Sequence, residues 1–181
     1  MQGLPISRIT KPQTPLVKSD CMLGNTSTLT SIQYDQSSGK LTGQGFILSA
    51  TRPDVIIPFT SNMGTGYSGT GAGRDNPAMQ SVPFIGPLPQ GHYSIGSPFN
   101  YVGGTGPYSM RLTPFSSNDM FGRNGFLIHG NNASNDASHG CIVCPLSTRK
   151  AINNSGCKTL DVVPWNEILS INRFNWRYCY E

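Results

Sequence analysis

The residues best suited to chemistry gather in Gly125–Pro145, GFLIHGNNASNDASHGCIVCP, which holds two of the three histidines and two of the five cysteines. A thiol becomes a useful nucleophile when an imidazole takes its proton or stabilises its thiolate. Cys141 has His139 two residues before it, on the same side of an extended chain, and His129 at the end of the apolar run Phe126–Ile128. A hairpin-like return through the polar loop Gly130–Ala137 would bring the His129 ring across to the sulfur. Gly130 and Gly140, one after each histidine, let the backbone turn sharply or approach a substrate closely. Backbone N–H groups near Gly140 and Cys141 are candidate oxyanion donors. The stretch reads as a cysteine active site whose base is open between two histidines.

Three other chemistries compete. Cys141-Ile-Val-Cys144 has C-x2-C spacing, and His129, His139 and Cys157 could complete a zinc site. Structural zinc sites take two short ligand pairs, however, and a second C-x2-C or an H-x3-5-H is missing. A dithiol redox pair needs a βαβ context that the flanking sequence lacks. Thr60–Gln80 contains GTGYSGTGAG, but no GK[ST] follows and no strand-to-helix dinucleotide fingerprint with a downstream acid is present, so a phosphate loop is not indicated. No metal and no cofactor is expected. His92 reads as a structural histidine, since nothing near it in sequence pairs with it.

The elements that must position these residues are strands. Thr26–Tyr34 and Lys40–Leu48 flank the turn Asp35–Gly39 and predict a hairpin. Val55–Phe59 predicts a short third strand between two prolines, and Thr60–Gln80 a long glycine-rich loop, the better candidate for a cleft wall. Gly86–Ile95 is a proline-stiffened approach to a strand, Tyr108–Thr113 another strand, and Phe115–Asn124 a loop. Leu146–Asn154 predicts a helix ended by Gly156. Thr159–Val163 predicts a last core strand, with a short helical turn over Trp165–Ile171. Residues 1–25, rich in Pro, Ser and Thr, read as a flexible N-terminal arm, and 26–181 as one catalytic domain.

With 181 residues, 12% charged, 21 glycines and 14 prolines, a mainly β single domain is favoured over a helical bundle. The net charge of +4 is spread without a Lys/Arg run, so no nucleic-acid footprint is indicated. The apolar runs are too short for a membrane span. Met1–Ser19 lacks the apolar core of a signal peptide, so export without a cleavable leader is expected. The five cysteines suggest a free thiol plus disulfides among Cys21, Cys144, Cys157 and Cys179.

Ser138-His-Gly-Cys141, with Ile128-His-Gly130 upstream, resembles the signature of L,D-transpeptidases of the YkuD type. The wider pattern is similar to the type VI secretion L,D-transpeptidase effectors, the Tlde1 group. It includes Tyr67-Ser-Gly69, Asn76-Pro77, Gly86-Pro-Leu-Pro-Gln-Gly91 with Tyr93, Arg111–Pro114 and Gly122-Arg123, and it covers roughly residues 31–163. The resemblance implies a YkuD-like β-sandwich or barrel with one or two short helices. It implies Cys141 as the acylated nucleophile and His129 as base, its ring oriented by the Gly130 carbonyl. His139 would shape the site, and Gly140 with Cys141 would supply oxyanion donors. Tyr67, Ser68, Tyr93, Arg123 and Ser138 would contact substrate.

The implied substrate is the peptidoglycan stem tetrapeptide, cut between meso-diaminopimelate and D-Ala by an L,D-carboxypeptidase or exchanged by an L,D-transpeptidase. The implied setting is the periplasm of a target bacterium, with secretion machinery and an immunity protein as partners. Two departures favour hydrolysis over cross-linking: the ten-residue interval from His129 to His139, and Ile142-Val-Cys144 where arginine or asparagine is usual. The alternative is a non-catalytic envelope-binding β domain with disulfide-bonded or metal-bound cysteines.

Overall fold

The computed structural model describes residues 21–22, 27–48, 55–101 and 104–165. The hairpin forms from β2 (Ser27–Asp35) and β3 (Lys40–Leu48). Its turn is set by Asp35, whose Oδ1 accepts from the Ser37 N–H at 2.8 Å, the Ser37 hydroxyl at 2.8 Å and the Ser38 N–H at 3.2 Å. Gly39 takes φ +67°, and a Cβ there would run into the Gly66 carbonyl. Leu29 and Ile32 are three residues apart, a spacing that alternation would send to opposite faces. A register shift between Leu29 and Ser31 resets the alternation, and both side chains are fully buried with Tyr34.

The third strand is longer than expected. β4 runs Ile56–Thr65, taking in the first residues assigned to the glycine-rich loop. It is the edge of the sheet, where Pro58 can replace a hydrogen-bonding residue at low cost. The remaining strands are β1 (Cys21–Met22), β5 (Tyr67–Ser68), β6 (Gly91–Ile95), β7 (Phe99–Tyr101), β8 (Gly106–Pro114), β9 (Leu127–His129), β10 (Ile142–Val143) and β11 (Thr159–Val163). Among the described residues the sheet order is β4-β3-β2-β11-β6-β8-β9-β10-β5, with β1 on β2 and β7 on β8. The chain is thus mainly β. Of the arm, Cys21 and Met22 fall among the described residues, and they pair with β2. The turn expected at Trp165–Ile171 lies outside them beyond Trp165.

Alternating buried residues from the central strands build the core: Ile32 and Tyr34, Tyr93 and Ile95, Met110 and Leu112, Leu160 and Val162. Each such side chain contributes about 1.5–3 kcal/mol on burial, as an upper bound. The helix α1 (Leu146–Asn154) forms over the expected residues and packs against β4 and β8. It buries Thr148, Arg149 and Ile152, which helical spacing places on one face. No described helix is long and apolar enough to cross a membrane.

His92 does have a partner. Antiparallel β6–β11 register sets it opposite Asp161, with Nδ1 2.6 Å from Oδ1. The pair is exposed, and its members are 69 residues apart in sequence, which is why no local pattern shows it.

Candidate active site

Cys141 and His129 are brought to one face by a parallel pair of strands, not by a hairpin-like return. β9 and β10 run parallel, with Ile142 beside Ile128 and Val143 beside His129. The connection Gly130–Cys141 is long enough to carry the chain back for parallel pairing, which a tight turn is not. One residue before β10, Cys141 stands beside Leu127, whose N–H donates to the sulfur at 3.3 Å. Neighbours in register project from the same face, and successive residues alternate. Cys141, Leu127, His129 and Val143 therefore share one face, while Ile128 and Ile142 enter the core. His129 is the diagonal neighbour of Cys141, a spacing of roughly 7–8 Å that two side chains can bridge.

The His129 ring is fixed in one tautomer. Its Nδ1 lies 2.7 Å from the Gly130 carbonyl, and a carbonyl only accepts, so Nδ1 carries the proton and Nε2 keeps its lone pair. Burial lowers its pKa, the Gly130 contact raises it and the Arg149 charge lowers it, leaving it below 6.5. Burial pushes the Cys141 thiol up, against the Leu127 N–H and the Arg123 charge, which lower it. Burial thus moves both groups toward their neutral forms. Cys144 is buried, and burial pushes it up to about 12 against the Arg149 charge.

The loop that carries Cys141 is held from below. The Ser138 hydroxyl is fully buried; it donates to the Cys141 carbonyl at 2.6 Å and accepts from the N–H groups of Gly69 at 2.8 Å and Gly140 at 3.1 Å. Ser68, also fully buried, donates to the Gly140 carbonyl at 3.1 Å and accepts from the Leu88 N–H at 2.8 Å. The two serines expected to contact substrate instead join the glycine-rich segment to the cysteine loop. The Gly140 N–H, expected in the oxyanion hole, is committed to Ser138. Tyr93 is fully buried, with its hydroxyl donating to the Pro89 carbonyl at 2.7 Å, so it belongs to the core. The sequence pattern marked these side chains, but not which way they face.

Arg123 is not at the surface either. Its guanidinium donates to the carbonyls of Pro87 at 2.7 Å, Gly86 at 2.9 Å and His139 at 3.2 Å, and to that of Gln80. It sits over the Phe126 ring at 5.2 Å, under Gly140, where a Cβ would collide with it. Burial lowers its pKa, while Tyr93 and Cys141 raise it. His139 is exposed and lines a cavity of about 220 Å³ with Arg123, Phe126 and Phe84. Tyr67 is buried under the Arg74 guanidinium at 3.6 Å; its hydroxyl donates to Asn131 Oδ1 at 2.6 Å and accepts from the Ala137 N–H at 3.0 Å.

Asn131, against Tyr67, Arg149, near His129, and the Leu127 N–H, on the Cys141 sulfur, are neighbours of the marked residues that the sequence did not single out. The first two are separated from Cys141 by loop or helix, and an amide carries no residue signal. Cys141 and Cys144 are free thiols, so Cys144 lies outside the expected disulfide set, whereas Cys157 is disulfide-bonded. Among the described residues no three His, Cys, Asp or Glu side chains converge as a metal ion would need.

A β sheet presenting a cysteine and a histidine on one face, next to a clamped SHGC loop, defines a candidate thiol-dependent site. The family model of the Tlde1 domain matches residues 62–164, which takes in every residue of that site. The chain belongs to the Tlde1 family, a family of type VI secretion effectors that modify peptidoglycan. No curated protein and no solved structure matches the chain.

Proposed function

We propose that the protein is a cysteine-dependent L,D-carboxypeptidase that removes D-Ala from peptidoglycan stem tetrapeptides, with D-amino-acid exchange as a side activity. The observation that carries this reading is the shared face of Cys141 and His129, with Nε2 left free by the Nδ1 contact. The His129 Nε2 takes the Cys141 proton as the sulfur attacks the meso-diaminopimelate carbonyl, giving a tetrahedral oxyanion. With the Gly140 N–H committed, the Cys141 N–H is the oxyanion donor of choice. Collapse breaks the peptide bond, D-Ala leaves with the proton from His129, and a thioester remains on Cys141. Water, deprotonated by His129, hydrolyses the thioester to the tripeptide and restores the thiol. A D-amino acid in place of water gives exchange.

His139, exposed at the rim, is a substrate-side group. As a type VI effector the protein would act in the periplasm of a target bacterium, held in check at home by an immunity protein.

The test is mass analysis of tetrapeptide muropeptides after incubation with wild type, Cys141→Ala and His92→Ala, with and without an added D-amino acid. Wild type and His92→Ala should release D-Ala, and Cys141→Ala should lose at least a thousandfold in rate. Equal product from the Cys141 variant refutes the assignment.

A further inference from the structure

A second cavity, of about 410 Å³, opens beside the His129 end of the strand pair and is lined by Tyr67, Asn131, Val143, Leu146 and Arg149. Three features of its wall favour an anion. Arg149 is only 6% exposed, and among the described residues its side-chain hydrogen bonds use Nη1, to the carbonyls of Pro107 at 2.5 Å and Tyr108 at 3.2 Å. Among the described residues its buried Nε has no partner, and Nη2 lies 3.0 Å from where a Cβ on Gly130 would sit. Among the described residues no carboxylate pairs with this guanidinium. A buried cation without a counter-charge is costly, and an incoming anion offsets that cost.

The second feature is the start of α1. This nine-residue helix has Pro145 at its N-cap, no side-chain cap and no acidic residue in its first turn. Its first N–H groups and its positive dipole end therefore remain for a ligand, and Leu146 places them at the same cavity. The third is position. Val143 lines the cavity two residues beyond Cys141, about 7 Å along the strand. With the sulfur about 3–3.5 Å from the carbonyl it attacks and the terminal carboxylate one residue, about 3.8 Å, beyond that carbonyl, the carboxylate falls about 7 Å from the sulfur. A peptide whose carbonyl meets the sulfur can set that carboxylate against Arg149.

We propose that this cavity is a carboxylate site, formed by Arg149 and the N-terminus of α1, that holds the free C-terminal carboxylate of the leaving D-Ala and so restricts the enzyme to chain ends. The inference rests on the carboxypeptidase reading of Cys141 and His129, and it adds the substrate feature that the site reads. A bound carboxylate would also screen the Arg149 charge that lowers His129, making the base stronger once substrate is seated.

The experiment compares a stem tetrapeptide as free acid with the same peptide as its C-terminal amide. Binding is measured to the Cys141→Ala protein, and turnover with wild type. The acid should bind about tenfold tighter and be turned over in preference, the strength of one charge-assisted contact. Arg149→Gln should erase the difference, although it also removes the anchor for the Pro107 and Tyr108 carbonyls. Asn131→Asp is the second variant: Asn131 is exposed, the new side chain keeps the acceptor for Tyr67 while giving up the amide donated to Asn135, and its charge repels a carboxylate. It should weaken the acid more than the amide. Equal binding of acid and amide, or an acid-to-amide ratio unmoved by Asn131→Asp, overturns the carboxylate site. Cys141-dependent cleavage of both peptides at equal rates sinks this proposal alone. No cleavage and no binding of either sinks the functional reading with it.

Discussion

Arg123→Met tests whether one buried guanidinium holds the cysteine loop together. The side chain bridges the carbonyls of Gln80, Gly86 and Pro87 on one segment to that of His139 on the other. The contacts to Gly86 and Pro87 are fully buried, so a methionine would leave both acceptors unsatisfied at about 1–3 kcal/mol each. The contacts to Gln80 and His139 are only part-buried, so those carbonyls can take water. Against a loss of about 4 kcal/mol stands the relief of no longer burying a cation, about 1 kcal/mol, for a net near 3.

That is roughly a hundredfold in the folding constant, visible as a lower midpoint in urea unfolding. The variant should also lose the cation that lowers Cys141, so iodoacetamide labelling of that thiol should need higher pH than in wild type. Arg123→Lys separates the two effects: one ammonium cannot reach four carbonyls, but it keeps the charge, so stability should fall while labelling moves less. An Arg123→Met protein within about 0.5 kcal/mol of wild type and with an unchanged labelling profile would refute the reasoning.

Two further outcomes follow from the site. Gly140→Ala should abolish D-Ala release without a comparable change at Gly104, since Gly140 has φ +121° and a Cβ there strikes Arg123, while a Cβ on Gly104 meets nothing within 4 Å. Circular dichroism distinguishes loss of the loop from loss of the fold. The pH dependence follows from the lowered His129 value: the base must be neutral, so activity is present at pH 6.5 and falls only as pH drops through that lower value. The same group contributes stability above 6.5 that declines as pH falls from there toward its folded value. An acid limb above 6.5 in the rate profile contradicts the lowered His129 value.

Local pattern was sufficient for β3, α1 and β11, whose expected and observed limits coincide, because each is a short run with its own turn residues at both ends. The apolar run into His129 and the SHGC tetrad point to Cys141 from residue type and spacing, whereas the burial, the Leu127 N–H and the Arg123 charge that act on its thiol come from the fold. What the sequence could not decide was direction. The β9–β10 pair is parallel, and parallel and antiparallel partners share the same composition. Nor could it tell a buried hydroxyl from one facing substrate: Ser68 and Ser138 join two loops through partners up to 72 residues away, and Tyr93 is part of the core. Arg149 went unnoticed for the same reason. Its place beside His129 depends on where α1 packs, and that is decided by Thr148, Ile152 and the close approach to Gly64, contacts that exist only once the sheet is formed.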